Sequence, residues 1–236
     1  MRITVNLIAT RKYHVFVQPL IDSICKYFLL RHSININLFF DFTQASAYKG
    51  DDRVSITYHQ IPSYGFPLAT LLRYRIMSSI DYDCDYIVYL DVDYLIVSEI
   101  DENILGPLVG VLHPGFSVVG GGSWSTDESS LAYVPPEKRI KYICGGTQAG
   151  AKDNFIAMIN LLADRIDCDT SNGVKAEWND EAHINWYFSE CPDAFKILDS
   201  SYCMPDREEL TKLWRINHLP KRILALSKNH SEFQLP

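Results

Sequence analysis

No two of the six cysteines, Cys25, Cys84, Cys144, Cys168, Cys191 and Cys203, stand in a C-x-x-C spacing. That excludes the usual zinc pattern, and at 236 residues it speaks against a disulfide framework, so the thiols read as mostly buried. Basic charge is also scarce. The 22 lysines and arginines face 29 acidic residues, for a formal net charge of -7, and supply no footprint for nucleic-acid phosphates or anionic lipid. Nucleic acid is not an expected partner. No uncharged run reaches the roughly 18 residues of a transmembrane helix. The opening MRITVNLIA lacks a signal-peptide cleavage site and reads as a core strand. A cytoplasmic protein without a transmembrane segment is the expectation. Internal repeats, low-complexity tracts and linkers are absent too, which implies one domain over residues 1–236. The dinucleotide fingerprint is missing. GGTQAG, from Gly145 to Gly150, has the wrong glycine spacing, and no strand follows to present a ribose-binding acid.

What is present is apolar bulk: 47% hydrophobic and 12% aromatic residues fill a substantial core. Ile3 to Ala9 reads as a strand, Val15 to Leu30 as a helix, and Ile34 to Phe40 and Val54 to His59 as strands. Pro67 to Ile80 has a proline at its start and helical spacing, and Tyr86 to Val97 is a further strand. Such alternation predicts an α/β fold with a mostly parallel sheet covered by helices. Beyond residue 100 loops dominate. The exceptions are a strand ending in HPGF (residues 113–116), a brief strand at Tyr142 to Gly146, and helices near Ala151 to Ile166 and Asp180 to Ser189.

Three groups carry chemistry. Asp91 and Asp93 interrupt the apolar run YIVYLDVDYLIV. On an extended strand both carboxylates would share a face, so a proton or a hard divalent cation would relieve their repulsion; a strand that ends at Leu90 in a solvated acidic turn is the other reading. Asp81, Asp83 and Asp85 read as a solvated turn. Asn179 is a plausible helix N-cap, with Asp180 and Glu181 in the first turn, where acids usually complement the dipole at the surface. Glu181 nevertheless shares a helix face with Ile184 and Phe188. His113, at a strand end, reads as a satisfied structural histidine.

The order of these pieces (acidic pair, HPGF, AYVP, GG, W-x-D-E-x-H-x-N-x-Y, K-N-H) resembles glycosyltransferase family 6 from about Ile3 to His230. These are the retaining enzymes related to mammalian α1,3-galactosyltransferase and the blood-group A and B transferases. The resemblance implies a GT-A fold, with nucleotide binding in about residues 1–100 and donor-sugar and acceptor binding in about 101–236. It also implies transfer of GalNAc or Gal from a UDP-sugar to the 3-hydroxyl of a galactose-containing oligosaccharide. Matched one at a time, Asp91 and Asp93 hold Mn²⁺ or another divalent cation on the diphosphate, with Val92 between them. Ile8, Ala9 and Tyr13 line the uridine site, Arg73 contacts the donor, and Lys228 closes over the diphosphate. Asp180 becomes the donor-sugar ligand and Glu181 the anion beneath the anomeric carbon. Trp178 and His113 become acceptor contacts.

Cys144, Gly145 and Gly146 match the donor-discriminating segment, where Gly146 leaves room for an acetamido group and so favours UDP-GalNAc over UDP-Gal. Some features depart from the family. GGGSWSTDESS, residues 120–130, replaces an aromatic-Thr-Tyr-Glu-Arg-Arg run, leaving Ser123 and Trp124 as acceptor candidates. Asp206 stands in for an acceptor pair. The alternative to an enzyme is a catalytically silent carbohydrate- or nucleotide-binding module of the same fold.

Overall fold

A computed structural model describes residues 1–42, 48–116 and 121–229. Strand β1 (Arg2–Ala9) buries Val5 and Leu7 completely on one face. Helix α1 (His14–Tyr27) covers that face with Val17, Leu20, Ile21 and Ile24, the stripe that a 3.6-residue period produces. Each such buried aliphatic side chain contributes about 1.5–3 kcal/mol. Strands β2 (Ser33–Phe40), β3 (Val54–Gln60) and β4 (Tyr86–Leu90) complete a parallel block in the order β3-β2-β1-β4.

The second half of the chain extends the same sheet. Strand β7 (Ile143–Ala151) lies antiparallel between β4 and β6 (Leu108–Leu112), and β8 (Phe195–Leu198) runs parallel to β6 at the edge. The other face is covered by α3 (Arg73–Met77), α4 (Lys152–Ser171) and α5 (Asn179–Glu190), where Tyr74, Leu162 and Ile184 pack on Ile87 and Tyr89. This mostly parallel, doubly covered sheet is the expected α/β class and has the form of a GT-A type fold. Beside α1 sits a small sheet in which β10 (Ile223–Ala225) lies between β5 (Tyr94–Ile96) and β9 (Met204–Pro205). Helix α6 (Glu208–Leu213) follows β9 in the chain. No helix among the described residues is long and apolar enough to cross a membrane.

Four expectations change. The helix expected over Pro67 to Ile80 is two short helices, α2 (Leu68–Leu71) and α3, meeting at Leu72. Its end comes early because the Ser78 and Ser79 hydroxyls bond back to the carbonyls of Arg75 and Ile76. Tyr86 to Val97 is not one strand: β4 ends at Leu90, Asp91 to Asp93 turn, and β5 belongs to the small sheet. GGTQAG lies inside β7, whose nine residues outrun the brief strand expected at Tyr142 to Gly146. Asn179 is the first residue of α5 at φ 50, not its cap, and Trp178 precedes it without a side-chain capping bond.

The antiparallel entry of β7 positions the site. Its beginning meets the end of β4, with Thr147 opposite Leu90 and the Asp91 N–H donating to the Gly146 carbonyl at 2.9 Å. One sheet edge therefore carries the ends of β1 and β4 together with Gly145 and Gly146 of β7.

Candidate active site

At that edge opens a cleft of about 390 Å³, within the range of small-molecule sites. Ile8, Tyr13, Arg73, Asp91, Val92, Asp93, Gly145, Gly146, Trp178, Asp180, Glu181 and Lys228 line it. Ala9 is fully buried behind it and Cys144 is 5% exposed, so both back the cleft from the core. His113 and Asp206 lie outside its lining.

The acidic pair is not a same-face pair on an extended strand. Because Asp91 to Asp93 form a turn, each carboxylate meets its own cation. Asp91 Oδ1 accepts from Arg73 Nη2 at 3.0 Å and from the Tyr89 hydroxyl at 2.7 Å. Asp93 Oδ2 accepts from the Lys228 ammonium, which also lies 4.8 Å over the Tyr13 ring. The register of the small sheet brings Lys228 there: Ala225 pairs with Tyr94, and the Leu226 N–H donates to the Asp93 carbonyl at 3.0 Å.

Arg73 joins the two ends of the cleft. Its guanidinium is buried, donates to the Gly145 carbonyl at 2.6 Å, and lies 3.0 Å from Asp180 as well as from Asp91. Burial pushes its pKa down, but Asp180, Tyr89 and Asp91 more than offset that and hold it above its ordinary value. A buried charge of this kind persists only when paired.

Asp180 and Glu181 are not surface acids. Asp180 is 4% exposed, and Glu181, partly buried, receives the Gly145 N–H on Oε2 at 2.8 Å. Burial raises Glu181 to about 7, opposed by the Gly145 N–H. Asp180 rises to about 6 by burial, opposed by Arg73. The helix face shared by Glu181, Ile184 and Phe188 is the buried one, which is why the usual rule for first-turn acids fails here.

The glycines of β7 admit these side chains. A Cβ on Gly145 would sit 3.4 Å from both Arg73 Nη1 and Glu181 Oε2. On Gly146 it would fall 2.1 Å from the Tyr94 hydroxyl and 2.6 Å from Asp91 Oδ2. The volume beside Gly146 is thus taken by Tyr94 and Asp91, which corrects the expectation that it stands open for an acetamido group. Gly146→Ala should accordingly displace the Asp91 carboxylate and, if the cleft takes the UDP that the resemblance implies, weaken UDP binding at least tenfold by calorimetry. A variant that binds UDP normally and merely changes donor would sink this reading.

On the other side of β7, His113 Nδ1 accepts from the Gly115 N–H at 3.1 Å, and burial lowers the ring to about 4. The neutral ring then carries its proton on Nε2. Its neighbours are Phe116, Tyr142 and Trp214. Trp124 is 7% exposed and turned into this aromatic cluster, and the Ser123 carbonyl accepts from the Tyr142 hydroxyl. Asp206 accepts from the Ser227 N–H and hydroxyl, fastening the segment just before Lys228. His230, the end of the K-N-H motif, lies outside the described residues.

The model of Glycosyltransferase family 6 matches residues 66–234. The chain belongs to that family. It is also similar to Histo-blood group ABO system transferase 1 of Rattus norvegicus, with 25% identity over 97% of this chain and 67% of that protein. Globoside alpha-1,3-N-acetylgalactosaminyltransferase 1 of Homo sapiens is 26% identical over 96% of this chain and 68% of its own length. The same-named protein of Gallus gallus is 24% identical over 88% and 63%. The chain thus spans about two thirds of the length of these curated relatives. As a family 6 glycosyltransferase it takes a sugar-nucleotide donor and a glycan acceptor.

Sequence reasoning missed several residues of this glycosyltransferase site. Tyr89 precedes Asp91 by two positions, and a hydroxyl in so apolar a strand was the available signal. Arg11, Tyr64 and Phe66 line the cleft from loops that carry no periodicity. Among the described residues no group of three or more His, Cys, Asp or Glu side chains could hold a metal. A divalent ion completed by substrate phosphates asks a protein for only one or two carboxylates, and the two that the sequence offers for it, Asp91 and Asp93, are paired here with Arg73 and Lys228.

Proposed function

We propose that this family 6 enzyme is a retaining α1,3-N-acetylgalactosaminyltransferase that moves GalNAc from UDP-GalNAc to the 3-hydroxyl of a galactose-terminated acceptor. UDP-Gal is the alternative donor. The observation that carries the proposal is the meeting of Asp180 and Glu181 with Asp91 and Asp93 in one cleft, joined through the buried Arg73. Preference for GalNAc rests on the globoside relatives' name, since the space beside Gly146 does not supply it.

In this reading Ile8 and Tyr13 flank the uridine, with Ala9 behind them, and Lys228 turns its ammonium from Asp93 to the diphosphate. Asp91 and Asp93, with Val92 between them, would hold Mn²⁺ or another divalent cation. When bound, that ion neutralises charge on the departing diphosphate. Asp180 accepts from a sugar hydroxyl, and Glu181, ionised, faces the anomeric carbon and stabilises its oxocarbenium-like charge. Trp178 is 53% exposed and offers an apolar face to the acceptor galactose. His113 contributes its Nε2–H, and Asp206 holds the closing segment through Ser227.

Incubation with Mn²⁺, either UDP-sugar and a panel of galactosides tests the reading through UDP release and product configuration. Release is expected with a galactoside present, several-fold faster from UDP-GalNAc, giving an α1,3 product and ceasing in excess EDTA. Equal or faster use of UDP-Gal would overturn the donor assignment, and undiminished transfer in EDTA the metal assignment. Tight UDP binding without release from any pair would favour the silent binding module.

A further inference from the structure

Two motifs of the family stay outside the cleft: AYVP, residues 132–135, and the histidine of W-x-D-E-x-H, His183. Both meet at one turn of α4. Leu131, the residue before AYVP, has its main-chain groups gripped from two sides there. Its N–H donates to the Asp169 carboxylate, 2.9 Å from Oδ1 and 3.0 Å from Oδ2, and its carbonyl accepts from Arg165 Nη2. Residues four apart on a helix share a face, so both side chains leave α4 toward the same strip of chain. The Ser130 hydroxyl donates to Asp169 Oδ2 at 2.7 Å and accepts from the Ala132 N–H at 3.1 Å. Asp169 is 4% exposed, a burial that a carboxylate tolerates only with donors of this kind.

The same turn of α4 reaches two parts of the site. On α5, His183 Nε2 lies 3.5 Å from Asp169 Oδ2, and the Arg165 guanidinium lies 3.2 Å over the Trp186 ring. Burial lowers His183 to about 4, which leaves the ring neutral. Its buried Nδ1 has no partner among the described residues, so its one proton belongs on Nε2, toward the carboxylate. At the end of α4, Gly173, with φ 71, reverses the chain, and the Val174 N–H donates to the Asp169 carbonyl at 2.8 Å. That bond fastens the head of the segment that carries Trp178. Further along it, Ala176 packs with Ala132 and Ala182, and Glu177 accepts from the Thr126 hydroxyl at 2.6 Å.

We propose that Asp169 and Arg165 are positioning residues for the acceptor, which set residues 130–132 and the Trp178 segment in register with Glu181 on α5. The consequence for transfer rests on Trp178 being the acceptor face of the proposed reaction; the tie itself does not. Helix α5 has anchors of its own. Asn185 exchanges two bonds of 2.8 Å with the main chain of Ile143, and Arg73 holds Asp180. Loosening the tie therefore moves the acceptor side against a donor side that stays in place.

Asp169→Asn keeps the shape of the side chain but sets an amide N–H₂ against groups that donate, so part of the grip is lost. The acceptor KM should rise about tenfold, while UDP affinity by calorimetry and the KM for the UDP-sugar stay within about twofold. The milder Ser130→Ala removes a single bond from the same carboxylate and should raise the acceptor KM about threefold. A second readout is the full chain labelled with 5-fluorotryptophan, with signals assigned by their loss in Trp178→Phe and Trp214→Phe. In Asp169→Asn the Trp178 signal should shift or broaden, and the Trp214 signal should stay as the mark of an intact fold. A Trp178 signal unchanged in both variants overturns the tie. A shifted signal with an unchanged acceptor KM overturns the acceptor role, as does a loss of donor affinity equal to that of the acceptor. Should the wild type release UDP with no galactoside, the proposed reaction falls and the Trp178 signal alone decides the tie.

Discussion

Glu181→Gln is expected to lower kcat about 100- to 1000-fold, the cost of removing one preorganised electrostatic group from a transition state, while UDP affinity changes only a few-fold. The substitution is nearly isosteric. The amide oxygen can still accept from the Gly145 N–H, now at 2.8 Å from Oε2, so the cleft keeps its shape and loses only its charge. Turnover by UDP release and UDP affinity by calorimetry separate these effects. The pH profile adds a second check: wild-type activity should rise as Glu181 ionises through about 7, and the variant should lack that limb. Activity within tenfold of wild type would move the anionic role to another residue.

Arg73→Met is the largest expected loss of stability. It leaves Asp180 and Asp91 without the guanidinium that lies 3.0 Å from each, and breaking a buried pair from one side costs about 3–5 kcal/mol. For a chain of this size that is a fall in Tm of roughly 10 °C. The deficit should depend on pH in a defined direction. Asp180 already sits at about 6 when folded, above the carboxylate's usual value, and loses its main opposing charge in the variant. A carboxyl raised on folding binds more protons in the folded state, so stability falls as pH rises through that window and recovers as pH is lowered. Melting curves from pH 8 to pH 5 should show the gap narrowing. A Tm within about 2 °C of wild type at pH 8 would show that the three charges are not mutually dependent.

The elements with strong periodicity were legible in the sequence. β1, α1, β2, β3, β6, α4 and α5 all lie where apolar spacing put them, within a few residues. The break after Leu90 was one of two open readings, because hydropathy is the same on both sides of it and only pairing with Gly146 and β10 separates β4 from β5. Strands of two or three residues, such as β9 and β10, carry no period at all. β7 reads as only a brief strand because three of its nine residues are glycine, each admitting a neighbour that sequence alone does not reveal.

The site shows the same division. Asp91, Asp93, Asp180, Glu181 and Lys228 stand out by type and order, and the fold brings them to one cleft. What was hidden is how their charges are met. Spacing made a surface acid of Glu181 and the family resemblance an open volume of Gly146, whereas burial on α5 and the Tyr94 hydroxyl decide both. Tyr89 was passed over as a partner of Asp91 because a tyrosine in an apolar run is ordinarily core.

The contact between Lys228 and Asp93 joins residues 135 positions apart, and that between Arg73 and Gly145 spans 72. Contacts of such separation form late, after the loop entropy between them has been lost. During synthesis, with residues added at about 5–20 per second, β1 to β4 emerge many seconds before their partners in β7 and β10 exist. The nascent chain exposes Asp91 and Asp93 on an unfinished sheet edge through that interval. Capacity to hold the donor therefore arrives abruptly, with the last strand, instead of growing with the length of chain made.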